Sequence, residues 1–156
     1  MKIEKKFVRY ILSLTGAFFA VFFLWLSLRP VEIVAIHHRS SGFSDVLVKN
    51  FPCTDKGKIN WWLKNKNTIG KKYQIPTPDR NGNFSLTFWL FGEGYKQTDG
   101  YDMLCFNDMK TPVNCIEKNA IFSVEKSPNL GTVYTVYNGG DYQLDNNGKI
   151  VEIHRK

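Results

Sequence analysis

Few residues in this chain have types and spacing that could do chemistry, and the cysteines lead them. Cys105 and Cys115 enclose nine residues, Phe-Asn-Asp-Met-Lys-Thr-Pro-Val-Asn, a turn-rich loop. Closing it as a disulfide would stabilise the fold by roughly 2.7 kcal/mol on the chain-entropy model. The plainer alternative is two buried thiols in neighbouring strands; the bridge is the expectation. Cys53 is then the odd one out, either buried and inert or available for an intermolecular bond. His37-His38 is followed by no ligand at metal spacing and His154 is remote, so three scattered imidazoles make a poor metal site. Asp99, Asp102 and Asp108 with Gly100 miss the calcium-loop spacing and read as turn residues. No Gly-x-Ser-x-Gly, Ser-x-x-Lys or His-Glu-x-x-His occurs. These motifs supply no catalytic residue, metal ligand or cofactor, and the reading leans away from an enzyme. A site assembled from scattered residues would leave no such trace.

Two patterns point to contact rather than chemistry. Lys56, Lys58, Lys64, Lys66, Lys71 and Lys72 crowd a short stretch in which Asp55 is the only acid. A solvated helix face is the bland reading. At 100° per residue, however, Trp61 falls on the polar side beside Lys64, and an exposed Trp among lysines suits a protein partner or lipid headgroups. Trp61, Lys64 and Lys56 are therefore the candidate interaction surface. The second pattern is Ser13, Gly16, Ala17 and Ala20, at i, i+3, i+4 and i+7. They form one smooth stripe holding small-xxx-small twice, which lets a second helix approach closely. Chance composition explains such a stripe too; the functional reading is a homodimer, or docking on another membrane protein.

That stripe belongs to the element that decides most. Between Arg9 and Arg29 lie nineteen residues without a charge, Tyr10 to Leu28. As a helix they would span roughly 28 Å, close to the hydrocarbon thickness of a bilayer. Lys2, Lys5, Lys6 and Arg9 precede the run against only Glu4, whereas Arg29 and Arg39 are the only bases between it and Lys49. The basic excess places the N-terminal tail in the cytoplasm and exports the chain beyond the span. Tyr10 and Trp25 sit near opposite ends, where amphipathic rings settle at headgroup level. A cleaved signal peptide is the rival reading, but the run exceeds a usual apolar core, and the tolerable site Ile33-Val34-Ala35 lies well beyond it. The expected organisation is a cytoplasmic tail over 1–9, a transmembrane signal anchor over 10–28 and an exported, periplasmic domain over 30–156, in a bacterial inner membrane.

The formal charge of +7 divides unevenly. Residues 1–29 hold five of the 21 Lys and Arg and one of the 14 Asp and Glu. The domain keeps sixteen bases and thirteen acids, a mild excess of three that argues for no nucleic-acid partner. All three cysteines lie in the exported part, where disulfides persist.

The domain reads as strand-rich with one helix. Val31–Ile36 and Asp45–Lys49, separated by the turn-prone Arg39-Ser-Ser-Gly42, predict a first hairpin. Thr54 to Ile69 predicts the helix, with Thr54 as N-cap, Asp55 at the positive end of the dipole, and Ile59, Trp62, Leu63 and Ile69 on one side. Gly70 and the Pro76/Pro78 pair would end it. Further strands are expected over Phe84–Phe91, Tyr101–Phe106, Ala120–Val124, Thr132–Tyr137 and Asp141–Ile153, the last broken by the hairpin turn Asn147-Gly148. Short loops favour an antiparallel sheet. The expected fold class is a single N-terminal transmembrane helix followed by a small α+β domain, an antiparallel sheet with one helix packed on it.

Several strings carry a resemblance. They are Leu24-Trp-Leu-Ser-Leu-Arg-Pro-Val-Glu-Ile33, Val46-Leu-Val-Lys-Asn-Phe-Pro52, Thr54-Asp-Lys-Gly-Lys-Ile59 with Trp61-Trp62, Leu104-Cys-Phe106 with Asp108, and Asn114-Cys-Ile-Glu-Lys118. Over nearly its whole length the chain resembles the domain of unknown function 943 family, small inner-membrane proteins of enteric bacteria. The resemblance implies a membrane protein without assigned chemistry and no catalytic residues to carry over. The family pattern more often has an aromatic residue where this chain has Cys53, which weakens any essential role for that thiol.

Two function classes fit these features. The first is a non-enzymatic anchored domain that binds another envelope protein, for instance an immunity protein against an envelope-acting toxin. The second is a small envelope enzyme or ligand-binding domain whose pocket is lined by Trp61, Trp62, Phe88 and Trp89. Alternation along strands explains most of those aromatics as core.

Overall fold

The computed structural model describes residues 2–154, with Lys2, Ile3 and Ser27 described by backbone alone. Met1 of the expected tail, and Arg155 and Lys156 of the expected exported domain, lie outside the described residues. The chain divides into two compact units, Met1–Pro30 and Val31–Lys156.

The first unit is one helix, α1 (Lys2–Leu28), of 27 residues. It begins before the uncharged run, since Lys and Glu are good helix formers and nothing ahead of Tyr10 breaks the pattern. Glu4 in its first turn complements the dipole. Residues Glu4–Leu26, 23 in all, are long and apolar enough to cross a membrane. The Thr15 hydroxyl donates to the Ile11 carbonyl at 2.7 Å, so the helix satisfies it internally. At the far end the Arg29 guanidinium lies 3.7 Å from the centre of the Trp25 ring, a cation–π contact suited to an interfacial position.

The second unit is built on a seven-stranded sheet in the order β1-β2-β3-β7-β8-β9-β10. Its strands are β1 (Glu32–His38), β2 (Phe43–Lys49), β3 (Phe84–Leu90), β7 (Ala120–Ser127), β8 (Gly131–Val136), β9 (Asp141–Leu144) and β10 (Ile150–Ile153). Every neighbouring pair is antiparallel except β2 and β3, which run parallel. The exception has a plain cause. Helix α2 (Asp55–Tyr73) connects β2 to β3, and a long crossover returns the chain in its starting direction. The wholly antiparallel reading therefore becomes a mostly antiparallel one.

Helix α2 starts at the expected cap: Thr54 Oγ1 accepts from the Gly57 amide at 3.1 Å. It outlasts the expected end by one turn. Gly70 lies inside the helix, and the stop is Gln74, left-handed at φ 57°, whose amide returns to the Gly70 carbonyl. Ile59, Trp62 and Ile69 are buried on its inner side. They meet Val46, Val48, Leu86, Phe88, Phe122 and Val124 on one face of the sheet. Each such side chain contributes about 2 kcal/mol by burial.

A second sheet, β4-β6-β5, covers part of the opposite face. It consists of β4 (Lys96–Gln97), β5 (Met103–Cys105) and β6 (Val113–Glu117). Leu104, Phe106 and Ile116 from this region pack with Leu47 of β2, against Val34, Ala35 and Trp89. The large sheet thus lies between α2 and the small sheet.

Candidate functional site

One group of polar residues comes together beneath the small sheet. Their position begins with an irregularity in β1, whose register against β2 shifts between Ile33 and Ala35. Alternation without it would put Ile33 and His37 on the same face. With it, Ile33 and Ile36 both join the helix-side core, Val34 and Ala35 both join the other, and His37 is turned toward the small sheet. A bulge re-aims a side chain in this way.

His37 is 5% exposed. Its ring stacks on Phe106 with centroids 3.8 Å apart. Nδ1 lies 2.8 and 2.9 Å from the two carboxylate oxygens of Asp108, and Nε2 lies 2.8 Å from the Tyr95 hydroxyl. A carboxylate only accepts, so Nδ1 carries a proton; in the neutral ring Nε2 then accepts from Tyr95. The protonated ring is satisfied as well, because the phenol oxygen can accept in turn. Burial, and secondarily the charge of Asp108, push the Tyr95 phenol above its usual range.

The order carboxylate, imidazole, hydroxyl is that of a proton relay. Here the hydroxyl is a phenol held protonated, and both ring nitrogens are engaged by neighbours inside the fold. The arrangement acts as a clamp. It fastens β1 to the turn before β4 through Tyr95 and to the β5–β6 loop through Asp108. Cys105 and Cys115 close that same loop. They face each other across β5 and β6, Cα atoms 4.0 Å apart, and are joined as a disulfide. Cys53 is a free, exposed thiol.

A second buried group lies beside the first. Asp45, paired with His37 in register, is fully buried. Its oxygens accept from Arg39 Nε at 2.5 Å and Nη2 at 2.6 Å, and from Trp89 Nε1 at 2.7 Å. The hydrogen bond to Asp45 pushes the Arg39 guanidinium further up. Trp89 is thereby a donor under the small sheet, whereas Trp62 and Phe88 belong to the core on the helix side. The aromatics of the alternative pocket reading do not line one cavity: Trp61, Trp62 and Phe88 pack in the helix-side core and Trp89 against the other, in line with the alternation that reads most of them as core. A third pair, Tyr142 donating to Asp55 at 2.7 Å, ties the start of α2 to β9 and pushes the Tyr142 phenol up to about 12. Among the described residues no three His, Cys, Asp or Glu side chains gather as a metal site. A shallow cleft of about 290 Å³ opens where β2, β3 and β7 meet their turns, near Phe43, Asp79, Ser85 and Lys126; no residue expected from the sequence to form a site lines it.

Of the sequence-derived surface, Lys56 and Lys64 are exposed on α2. Trp61 is half-buried rather than exposed, its ring edge-on to Phe51 at 4.9 Å and to Phe88 at 6.0 Å. Phe51, just ahead of the helix, folds under it and claims that ring. Ser13, Gly16, Ala17 and Ala20 are all exposed on α1, and nothing lies within 4 Å of a side chain added at Gly16. The His37 clamp and the Asp45 pair escaped the sequence reading. The partners of His37 lie 71 and 58 residues away and Trp89 lies 44 from Asp45, beyond any local pattern; Arg39, six residues from Asp45 across the first hairpin, was the one partner a local reading could have found.

The family model described as "Enterobacterial putative membrane protein (DUF943)" matches residues 2–154. The chain belongs to this family. Its N-terminal helix of membrane-spanning length accords with that description. No curated protein and no solved structure matches the chain.

Proposed function

We propose that this DUF943 chain is a single-pass inner-membrane protein whose C-terminal domain lies in the periplasm and binds another envelope protein there without catalysing a reaction. The observation that carries this reading is the Cys105–Cys115 bridge in a domain joined to one apolar helix. Such bridges persist in oxidising compartments, and the bases ahead of the helix favour the same orientation. The paired polar groups support a binding role. His37, Asp45 and Asp55 each spend their hydrogen bonds on holding elements together. That makes a rigid scaffold, and rigidity lowers the entropy cost of binding. An immunity protein is one concrete form of this role.

The test is crosslinking in intact cells, with photoreactive residues placed at exposed positions of the domain. One discrete adduct of defined mass, identified as an envelope protein and lost after unlabelled partner is overproduced, is the expected result. Adducts that track protein abundance alone would refute a specific partner.

A further inference from the structure

The domain's positive charge has a single source. Helix α2 carries six Lys and one Asp, so the rest of the domain is left with ten bases and twelve acids. Lys56, Asn60, Lys64, Asn67 and Lys71 succeed one another at helical spacing along one side of α2, and all five are exposed. The stripe runs on the order of 22 Å. Among the described residues none of its three lysines has an ion-pair partner, although Lys96 and Lys118 do. Trp61 flanks the stripe but is committed to Phe51 and Phe88, so this face offers charge and amides and no apolar wedge.

We propose that this stripe of α2 is an electrostatic docking surface for anionic phospholipid headgroups. Two observations select lipid as the occupant. The charge is a row of flexible ammonium groups, which suits a fluid anionic surface better than a fixed array of carboxylates; lysine acts as a point charge, whereas geometrically exact pairing favours arginine. The domain also begins at Val31, directly after the helix-bearing unit ends at Pro30, so a bilayer crossed by that helix is at high effective concentration. The attraction is then screened by salt and falls away within a Debye length. This inference rests on the anchor spanning a membrane and is independent of which side the domain occupies.

The experiment uses the full chain in vesicles of phosphatidylcholine alone or mixed with phosphatidylglycerol. A fluorophore on Cys53, the free exposed thiol just before the Thr54 cap, is quenched by lipids bearing nitroxide headgroups. Quenching should be stronger with phosphatidylglycerol, fall to the phosphatidylcholine level in high salt, and fall likewise in the triple variant Lys56→Glu, Lys64→Glu, Lys71→Glu. The exposed Lys110→Glu and Lys149→Glu pair should retain it. Milder Lys→Gln changes at the same three positions should weaken it in part, and an intact Cys105–Cys115 bridge checks folding in each variant. Flotation with vesicles of either composition tests the anchor separately. Quenching that ignores lipid charge, or survives the triple reversal, overturns the proposal; an acidic protein as the true occupant would give that result.

Discussion

At the scale of single residues, this domain places its polar groups where they hold the fold, and each can be probed alone. His37 has three relationships at once: the stack on Phe106, the bond to Asp108 and the bond to Tyr95. Replacing it by Ala removes a buried ring and leaves the Tyr95 hydroxyl without its partner, whereas the half-exposed Asp108 can turn to water, so the expected cost is about 2–4 kcal/mol. Asp108→Asn keeps an acceptor at Nδ1 and should cost only about 1 kcal/mol. Urea unfolding of the domain in detergent, monitored by tryptophan fluorescence, measures both; equal losses would show that the carboxylate charge, not the ring, carries the clamp. Tyr142 gives a pH dependence with a defined sign. Its pKa is raised from 10.0 to about 12, chiefly by the bond to Asp55. The protonated phenol is favoured in the folded state, so this stability is fully present below pH 10.0 and is lost as pH rises through the folded value. A spectrophotometric titration should find Tyr142 ionising later than the exposed tyrosines, together with Tyr95 and Tyr134, which burial also pushes up, and Tyr142→Phe should reduce the late amplitude by one tyrosine.

Elements divide into those a local pattern reveals and those it cannot. The first hairpin, the Thr54 cap and the turn through Asn147 and Gly148 were legible because each is local. In that last turn Gly148 sits at φ 76° and the Asp145 carboxylate caps the Asn147 and Lys149 amides. Strands β4 and β6 were not legible. The first is two residues long, and the second lies in a segment whose Pro and Asn read as loop. The parallel β2–β3 pair depends on where a crossover lands, which periodicity does not encode. The small sheet's integrity should depend on Cys105–Cys115, since the bridge closes the loop that presents Asp108. Cys105→Ser should destabilise by about 2–3 kcal/mol. Mass spectrometry of oxidised protein should find Cys105 joined to Cys115 and Cys53 alkylated; a bridge involving Cys53 would refute the pairing. For α1, association through Ser13, Gly16, Ala17 and Ala20 would make Gly16→Ile weaken dimer signal in a membrane reporter assay while Phe22→Leu leaves it unchanged. A signal indifferent to Gly16→Ile reduces the stripe to composition.

Taken whole, the molecule joins a helix of membrane-spanning length to a domain held by one disulfide and by two polar networks centred on the buried His37 and Asp45. The helix was legible because nineteen uncharged residues leave few other structures. The site beneath the small sheet was illegible because its members meet only after β1 bulges and two separate loops fold over it. Orientation is the property on which the proposed function turns, and it can be read in cells from two directions. Cys53 is exposed and free, so a membrane-impermeant maleimide should label it in intact spheroplasts without lysis. A reporter active only after export should work when fused after Lys156, as the basic excess ahead of the span requires. Labelling that appears only after lysis, together with activity of a cytoplasm-only reporter at the same fusion point, would invert the topology. The Cys105–Cys115 pair would then sit in a reducing compartment and persist only if kinetically protected. The two measurements use different residues, so agreement between them cannot arise from a fusion that perturbs insertion.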